Sequence, residues 1–281
     1  MTNRKKFIDS HAPFWHYGSN ITERSYHTML AALPAVFMGI FYYGAPAIAV
    51  AALSVSSAIG WELAINKVTK QTITIGDGNA ALIGLLFAML VPATLPWWAV
   101  LTGTFTAVVI GKHIFGGIGG NAFNPVVLAV AILAISWKYL FDFDAALLNY
   151  DPGFMMAAPL VKLKAFGVDT IKDYSYVGLF FGRQAGGIGS GFGLGLIAGG
   201  AYLILRGFIR WEIALSFRAG VFGTASIFYT VDPTRFADPI FHLLTGYTLI
   251  GAFFRATEDS ASPVNFIPML IYGAVGGIVT V

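Results

Sequence analysis

The sequence predicts an all-α polytopic integral membrane protein, and its composition and its apolar runs are the observations that predict this fold class. Of its 281 residues, 57% are hydrophobic and only 11% are charged, whereas a soluble domain carries about 25% charged residues. Several apolar runs reach the roughly 20 residues that a helix needs to cross a bilayer. The chain therefore has too few charges to cover a surface that faces water.

Nine apolar runs are candidate membrane spans, and the basic residues near their ends predict their orientation. The runs cover residues 26–43, 46–66, 79–95, 98–112, 124–141, 187–205, 212–230, 238–254 and 264–281. Lys and Arg are enriched on the cytoplasmic side of membrane proteins. A cytoplasmic N-terminus places the following basic residues on that side: Arg4, Lys5, Lys6, Arg24, Lys67, Lys70, Lys112, Arg206, Arg210 and Arg255.

The spans fall into two halves separated by a polar loop. We expect a cytoplasmic tail (1–25), a first transmembrane repeat (26–141), an outward-facing loop (142–186) and a second, incomplete repeat (187–281). The third span opens with "DGNAALIGLL" at Asp77, and the eighth opens with "DPIFHLLTGY" at Asp238, so each comes third in its half. Five spans in each half would turn the second half upside down, which is the inverted-repeat plan of many transporters. That plan includes a tenth span, which this sequence does not show.

The chain contains no cysteine and only five histidines. The absence of cysteine excludes disulfides, thiolate-ligated zinc and the ordinary ligands of an iron–sulfur cluster from this chain. No HExxH spacing occurs, so we predict no metal site. The net charge of +3 gives no indication of nucleic-acid binding. If the protein takes part in redox chemistry, its cofactor is organic or is held by a neighbouring subunit.

The stretch "GGIGGNAFNP", residues 116–125, places glycines and amides between two apolar runs. Its GxGxxA spacing resembles a dinucleotide fingerprint, but that motif follows a β-strand, and here membrane spans lie on both sides. The glycines permit a tight turn and close helix packing. Asn121 and Asn124 each present a donor and an acceptor, which suits the imide edge of a flavin ring. From the residues alone, packing and ligand binding both remain open.

Ionisable residues in or near membrane spans are functional candidates. Glu62 lies in the second span, and Asp77 and Asp238 open the third and eighth, which makes all three candidates for a cation path. The alternative is that they lie at hydrated span ends. The segment "AFFRATEDSASP", residues 252–263, puts Arg255 and Glu258 beside hydroxyl groups, so it is either an ion or partner site or a solvated turn.

Four motifs give the chain a resemblance to a known family: "DGNAALIGLLFAMLVPATLPWW", "GKHIFGGIGGNAFNP", "LIAGGAYLILRGFIRW" and "DPIFHLLTGYTLIGAFFRATEDSASP". Together they resemble the RnfD family, whose members are membrane subunits of the Rnf electron-transport complex and are related to a membrane subunit of the sodium-pumping NADH:quinone reductase. The resemblance covers nearly the whole chain. It implies ten helices in two inverted five-helix repeats, a flavin bound in the membrane and, in most members, a second flavin attached covalently. The complex moves electrons between ferredoxin and NAD while it transports Na⁺ or H⁺.

The resemblance also implies roles for individual residues. Gly116, Gly117, Asn121 and Asn124 are expected to bring backbone and amide groups to a flavin, either riboflavin or FMN. The expected partners are other membrane and peripheral subunits, including those that carry flavins and iron–sulfur clusters, in a prokaryotic cell membrane. This chain has neither a nucleotide fold nor cluster ligands, so we expect no catalytic residue and no NADH or ferredoxin site on it.

Three departures from the family pattern modify these expectations. Members attach FMN to the last Thr of a Ser-Gly-Ala-Thr motif before Pro-Leu, whereas here "MMAAPL" places Ala158 at that position. Alanine has no hydroxyl group, so we expect any flavin on this chain to bind non-covalently. The stretch from Gly189 to Phe192 lacks the acidic residue of relatives, and the last helix of the family is not visible.

Two alternative functions remain from the sequence. A solute channel or transporter with a related inverted-repeat fold, similar to urea transporters, would show the same span pattern. A purely structural subunit, whose flavins all lie on neighbouring subunits, would also keep the motifs. Bound flavin distinguishes the redox subunit from both alternatives.

Overall fold

The computed structural model describes residues 20–141, 143, 158–171, 174–258 and 260–281, and the regular secondary structure in these ranges is entirely helical. The α-helices are α1 (Ile21–Tyr43), α2 (Ala45–Val68), α3 (Asn79–Leu90), α4 (Trp97–Phe105), α5 (Pro125–Ser136), α6 (Pro159–Phe166), α7 (Tyr176–Phe180), α8 (Gly193–Leu205), α9 (Trp211–Val231), α10 (Pro239–Leu244), α11 (Thr248–Ile250) and α12 (Phe266–Thr280). Two π-helices, Thr106–His113 and Gly251–Arg255, continue α4 and α11. No strand occurs in these ranges, which confirms the all-α class.

The helices follow the predicted spans in order but several are shorter. Helices α1 and α2 are long and apolar enough to cross a membrane, whereas α3, α5, α8 and α12 are shorter apolar helices. The third span was predicted to reach residue 95, but α3 ends at Leu90, two residues before Pro92, because the residue before a proline avoids the helical conformation. The eighth span is not one continuous helix, because Gly246 has φ 65° between α10 and α11.

Helices α3 and α10, each shorter than its predicted span, are the two broken helices of this fold. Both end inside the protein, where side chains donate hydrogen bonds to their C-terminal carbonyl groups. Tyr247 Oη donates to the carbonyl oxygen of Leu90 at 2.8 Å, and Gln184 Nε2 donates to that of Leu244 at 2.9 Å. Backbone hydrogen bonds also join residues 184–191 to the end of α3. Irregular backbone at membrane depth is tolerated where the protein satisfies it. The C-terminal ends of α3 and α10 therefore both contact the segment 184–191.

Glycines allow the longer helices to pack closely. The GxxxG spacing of Gly195 and Gly199 predicts a close helix contact, and a Cβ atom on Gly199 would lie 2.1 Å from the carbonyl oxygen of Ala31 in α1. A Cβ atom on Gly277 of α12 would lie equally close to the carbonyl oxygen of Phe217 in α9. These separations leave no room for a side chain, so α1 packs against α8 and α9 against α12 through backbone contact.

Part of the predicted outward-facing loop, 142–186, packs against the broken eighth span. Tyr174 and Leu179 of the loop form a buried cluster with Ala237 and Phe241 beside and within α10. Outside the described residues lie 142, 144–157, 172 and 173 of this loop, residues 1–19 of the predicted tail, and Asp259. The described part of the loop therefore covers α10, the helix that Asp238 precedes.

Candidate cofactor site

A cavity of about 200 Å³ lies where the 116–125 turn meets residues 253–260. The N-terminal ends of α1, α3 and α5 line it, together with the C-terminal ends of both π-helices. These are the span ends that the predicted orientation assigns to the cytoplasmic side. Elements distant in the sequence thus converge on the motif that the sequence predicts to bind flavin.

Asn124 fixes the start of α5 and also faces the cavity. Its Oδ1 accepts hydrogen bonds from the backbone N–H groups of Val126 and Val127, each at 3.1 Å, and Pro125 occupies the first helical position. This is an ordinary N-cap, a role for which Asn is favoured. Its Nδ2 is buried and has no hydrogen-bond partner in the described chain. The amide therefore has one oxygen committed to the helix and one donor available to a ligand.

Asn121 joins the turn to the segment that follows the second π-helix. Its side chain is buried, and its Nδ2 donates to the carbonyl oxygen of Phe123 at 3.1 Å and to Ser260 Oγ at 2.8 Å. Ser260 Oγ in turn donates to Glu258 Oε1 at 3.2 Å. Asn121 therefore holds the two walls of the cavity together.

Arg255 and Glu258 place opposite charges in the same wall. Arg255 Nη1 donates to Asn124 Oδ1 at 3.4 Å, while its Nε and Nη2 are buried and lack partners within the described residues. Glu258 Oε2 is likewise buried and unpaired there. Burial raises the pKa of the Glu258 carboxyl, and the positive charge of Arg255 opposes that rise. The burial of both groups argues against the solvated-turn interpretation of this segment.

Glu62 and Lys112 form a buried ion pair beside the cavity. Lys112 Nζ donates to both carboxylate oxygens of Glu62, at 2.9 and 2.8 Å, and Thr74 Oγ1 donates to Glu62 Oε1 at 2.6 Å. Lys112 also lines the cavity. Lys67 is the cation nearest to Glu62 along the sequence, but the bonded partner comes from the first π-helix, 50 positions along the chain. That separation is why the motif pattern did not reveal the pair.

Asp77 and Asp238 lie at the N-terminal ends of the two short broken helices and do not line the cavity. Asp77 Oδ1 accepts from the N–H of Asn79 at 2.8 Å, next to the start of α3. Asp238 Oδ1 accepts from the N–H of Ile240 at 2.7 Å and caps α10. The two predicted ion-path carboxylates therefore lie one or two residues before the first residue of α10 and α3, and only Asp238 is an N-cap.

The remaining predicted flavin residues lie away from the cavity wall. Gly116 and Gly117 have φ 101° and 99° and shape the turn, whereas Gly119 is the glycine that lines the cavity. Ala158 precedes α6 and also lies outside the lining set. Among the described residues, no group of three or more His, Cys, Asp or Glu could hold a metal ion.

Comparison with known proteins places the chain in a family. The family model described as "NQR2, RnfD, RnfE family" matches residues 8–281. The chain is 31% identical over 287 residues to the D subunit of the proton-translocating ferredoxin:NAD(+) oxidoreductase complex of Clostridium ljungdahlii, covering 98% of this chain and 85% of that protein. It is 34% identical over 256 residues to the D subunit of the Na(+)-translocating complex of Acetobacterium woodii, covering 90% and 77%. With the helical fold and both asparagines of the motif beside one cavity, this match shows that the chain belongs to the NQR2, RnfD, RnfE family.

Proposed function

We propose that this chain is the membrane subunit of a redox-driven, ion-translocating complex of the ferredoxin:NAD oxidoreductase type, and that its cavity holds a flavin non-covalently. The names of the two relatives described above support the first part of the proposal. The convergence of the predicted cytoplasmic span ends on one cavity agrees with their lying on the same side of the membrane. The Lys and Arg residues near those ends, and the bacterial sources of the relatives, support a bacterial inner-membrane location with a cytoplasmic N-terminus.

The unpaired polar atoms of the cavity are the observation that carries the flavin assignment. The pyrimidine edge of a flavin ring presents a carbonyl, an N–H and a second carbonyl, so it needs donors on either side of an acceptor. The cavity offers the donors Asn124 Nδ2 and Arg255 Nε and Nη2, and the acceptor Glu258 Oε2. A buried polar group without a partner costs about 1–3 kcal/mol. A ligand with such an edge would remove that cost at all three residues.

When bound, a flavin supplies electron transfer in one- or two-electron steps, and the residues of this chain bind and orient it. Asn121 keeps the two walls together, and the cap at Asn124 fixes the direction of its amide. Apolar side chains, including Leu86 and Phe253, line the rest of the cavity and exclude water from the ring. The reactions with NADH and ferredoxin belong to partner subunits.

The ion path of the proposal runs along the two broken helices, with Asp77, Asp238 and Glu62 as its carboxylates. The C-terminal end of a helix carries a partial negative charge, and α3 and α10 both end beside residues 184–191. Transporters use such discontinuous helices to bind cations within the membrane. The presence of an aspartate within two residues of the start of both α3 and α10 also supports the arrangement in two inverted repeats.

The flavin assignment is tested by counting flavins in the purified complex. The test variant combines Asn121→Ala with Asn124→Ser. Serine is used at position 124 because its oxygen can cap α5 although it has no amide donor. We expect the variant complex to assemble and to lose one flavin per complex, measured by extraction and mass spectrometry. The matched control is Asn265→Ala, since Asn265 is an exposed residue at the start of α12. The control complex should retain as many flavins as the wild-type complex.

The outcomes separate the three candidate functions. An unchanged flavin count in the double variant would favour a structural subunit, and a wild-type complex without flavin would favour a channel or transporter. On a denaturing gel this subunit should show no flavin fluorescence, because Ala158 has no hydroxyl group for a phosphoester. A fluorescent band at its mass would mean that another residue carries a covalent flavin.

A further inference from the structure

Arg255 is a buried cation whose hydrogen-bonding capacity is mostly unused. The residue is 9% exposed at the end of the Gly251–Arg255 π-helix, and within the described residues its side chain makes one hydrogen bond, to Asn124 Oδ1. Taking a charge out of water costs several kcal/mol unless partners compensate it. Because Nε and Nη2 have no partner among the described residues, the compensating group is expected to come from a ligand in the cavity.

The neighbouring anion, Glu258, does not neutralise Arg255 by direct contact, and the neighbouring cations Lys112 and Arg24 have other partners. Within the described part of the chain no ion pair joins it to Glu258, whose Oε1 is instead bonded to Ser260. Lys112, which also lines the cavity, is committed to Glu62 through two hydrogen bonds. Arg24 donates to the backbone carbonyl oxygen of Thr257. The guanidinium of Arg255 is therefore positioned to act on whatever the cavity holds.

We propose that Arg255 sets the redox potential of the flavin in this cavity by stabilising the negative charge that the ring gains on reduction. The inference rests on the proposed function. A neutral oxidised flavin ring that took up two electrons and one proton would become an anion with one negative charge. In a poorly solvated cavity a guanidinium interacts with such a charge more strongly than it does in water. Arg255 thereby favours the reduced ring over the oxidised ring and raises the midpoint potential.

The test is a redox titration of the purified complex with dithionite, monitored by flavin absorbance. The flavin of this cavity is identified as the spectral component that Asn121→Ala with Asn124→Ser removes. The variants are Arg255→Gln, which removes the charge but keeps a donor, and Arg255→Lys, which keeps the charge. Arg210→Gln is the control, because Arg210 is exposed at the start of α9 and does not line the cavity. Every sample is incubated with excess riboflavin to load weakened sites, and unbound riboflavin is removed by gel filtration before the titration.

We expect Arg255→Gln to weaken binding of the reduced flavin relative to the oxidised flavin at least tenfold, which lowers the midpoint potential by about 30 mV for a two-electron couple. Arg255→Lys should lie closer to the wild type, and Arg210→Gln should equal it. If the Arg255→Gln complex retains the spectral component of the cavity flavin at an unchanged midpoint potential, the inference about Arg255 is overturned. The proposed flavin site is unaffected by that result. If neither Arg255→Gln nor Arg255→Lys binds the added riboflavin, the inference is also overturned, because Arg255 would then have a structural role. If the double asparagine variant removes no component, the proposed function itself fails.

Discussion

Glu62 and Lys112 place opposite charges 2.8 Å apart inside the helix bundle, with both side chains almost completely buried. Removing one partner of a buried ion pair leaves an uncompensated charge and typically costs about 3–5 kcal/mol, whereas replacing both partners is often close to neutral. We therefore expect Lys112→Met to lower the free energy of unfolding of this protein by about that amount. The measurement is SDS-induced unfolding of the purified complex, followed by the signal of this chain.

The matched control for this pair is the double variant Glu62→Gln with Lys112→Met. Because it leaves no unpaired charge, it should recover much of the stability that Lys112→Met loses. A double variant less stable than Lys112→Met alone would show that the pair does not act as a neutralised unit. In that case the carboxylate of Glu62 would be stabilised by Thr74 and its other neighbours.

Single residues also show where sequence reasoning stopped. The amide chemistry of Asn121 and Asn124 is compatible with ligand binding as well as packing, and both residues line the cavity. The family resemblance implies a flavin contact for Gly116 and Gly117 as well, but they do not line the cavity, and their positive φ angles shape the turn. A glycine pattern predicts the backbone conformation and not the direction that the loop faces. Only the fold identified Gly119 as the glycine in the wall.

The two short helices α3 and α10 carry the proposed ion path, and each follows an aspartate whose side chain accepts a backbone hydrogen bond from the first helical turn. Asp238 is the N-cap of α10, whereas Asp77 precedes Gly78, the N-cap of α3. The amide oxygen of Asn can accept the same hydrogen bonds, so Asp77→Asn and Asp238→Asn remove the charge while they preserve the helix starts. We expect each variant to assemble normally and to lose most redox-driven ion transport in reconstituted vesicles. Asp232→Asn is the control, since Asp232 is an exposed turn residue after α9. Normal transport in both test variants would make these aspartates structural.

Helix packing through glycine gives a prediction at the same scale. A Cβ atom on Gly199 would meet the backbone of α1 at 2.1 Å, whereas one on Gly223 of α9 meets nothing within 4 Å. Overpacking of a close contact costs about 1–3 kcal/mol, and Gly→Ala in an open helix position is neutral or stabilising. We expect Gly199→Ala to lower the melting temperature of the complex and Gly223→Ala to leave it unchanged or raise it. Equal melting temperatures would contradict the close α1–α8 contact.

Across the whole molecule, apolar periodicity predicted the class and the order of helices because burial in a membrane leaves a strong compositional signal. It missed the break in the eighth span, since Gly246 lies within a run as apolar as a continuous helix. It also left open whether residues 252–263 are solvated, because the burial of Arg255 and Glu258 depends on contacts between distant segments. The cavity is a product of tertiary packing, so the sequence could supply its residues but not their convergence.

The central claim is that a flavin occupies the cavity between the 116–125 turn and residues 253–260. A density map of the purified, assembled complex tests it most directly. We expect density of the size and planarity of an isoalloxazine ring within hydrogen-bonding distance of Asn124, Arg255 and Glu258, with no covalent connection to this chain. Lipid or water density in the cavity, with every flavin of the complex located on other sites, would contradict it.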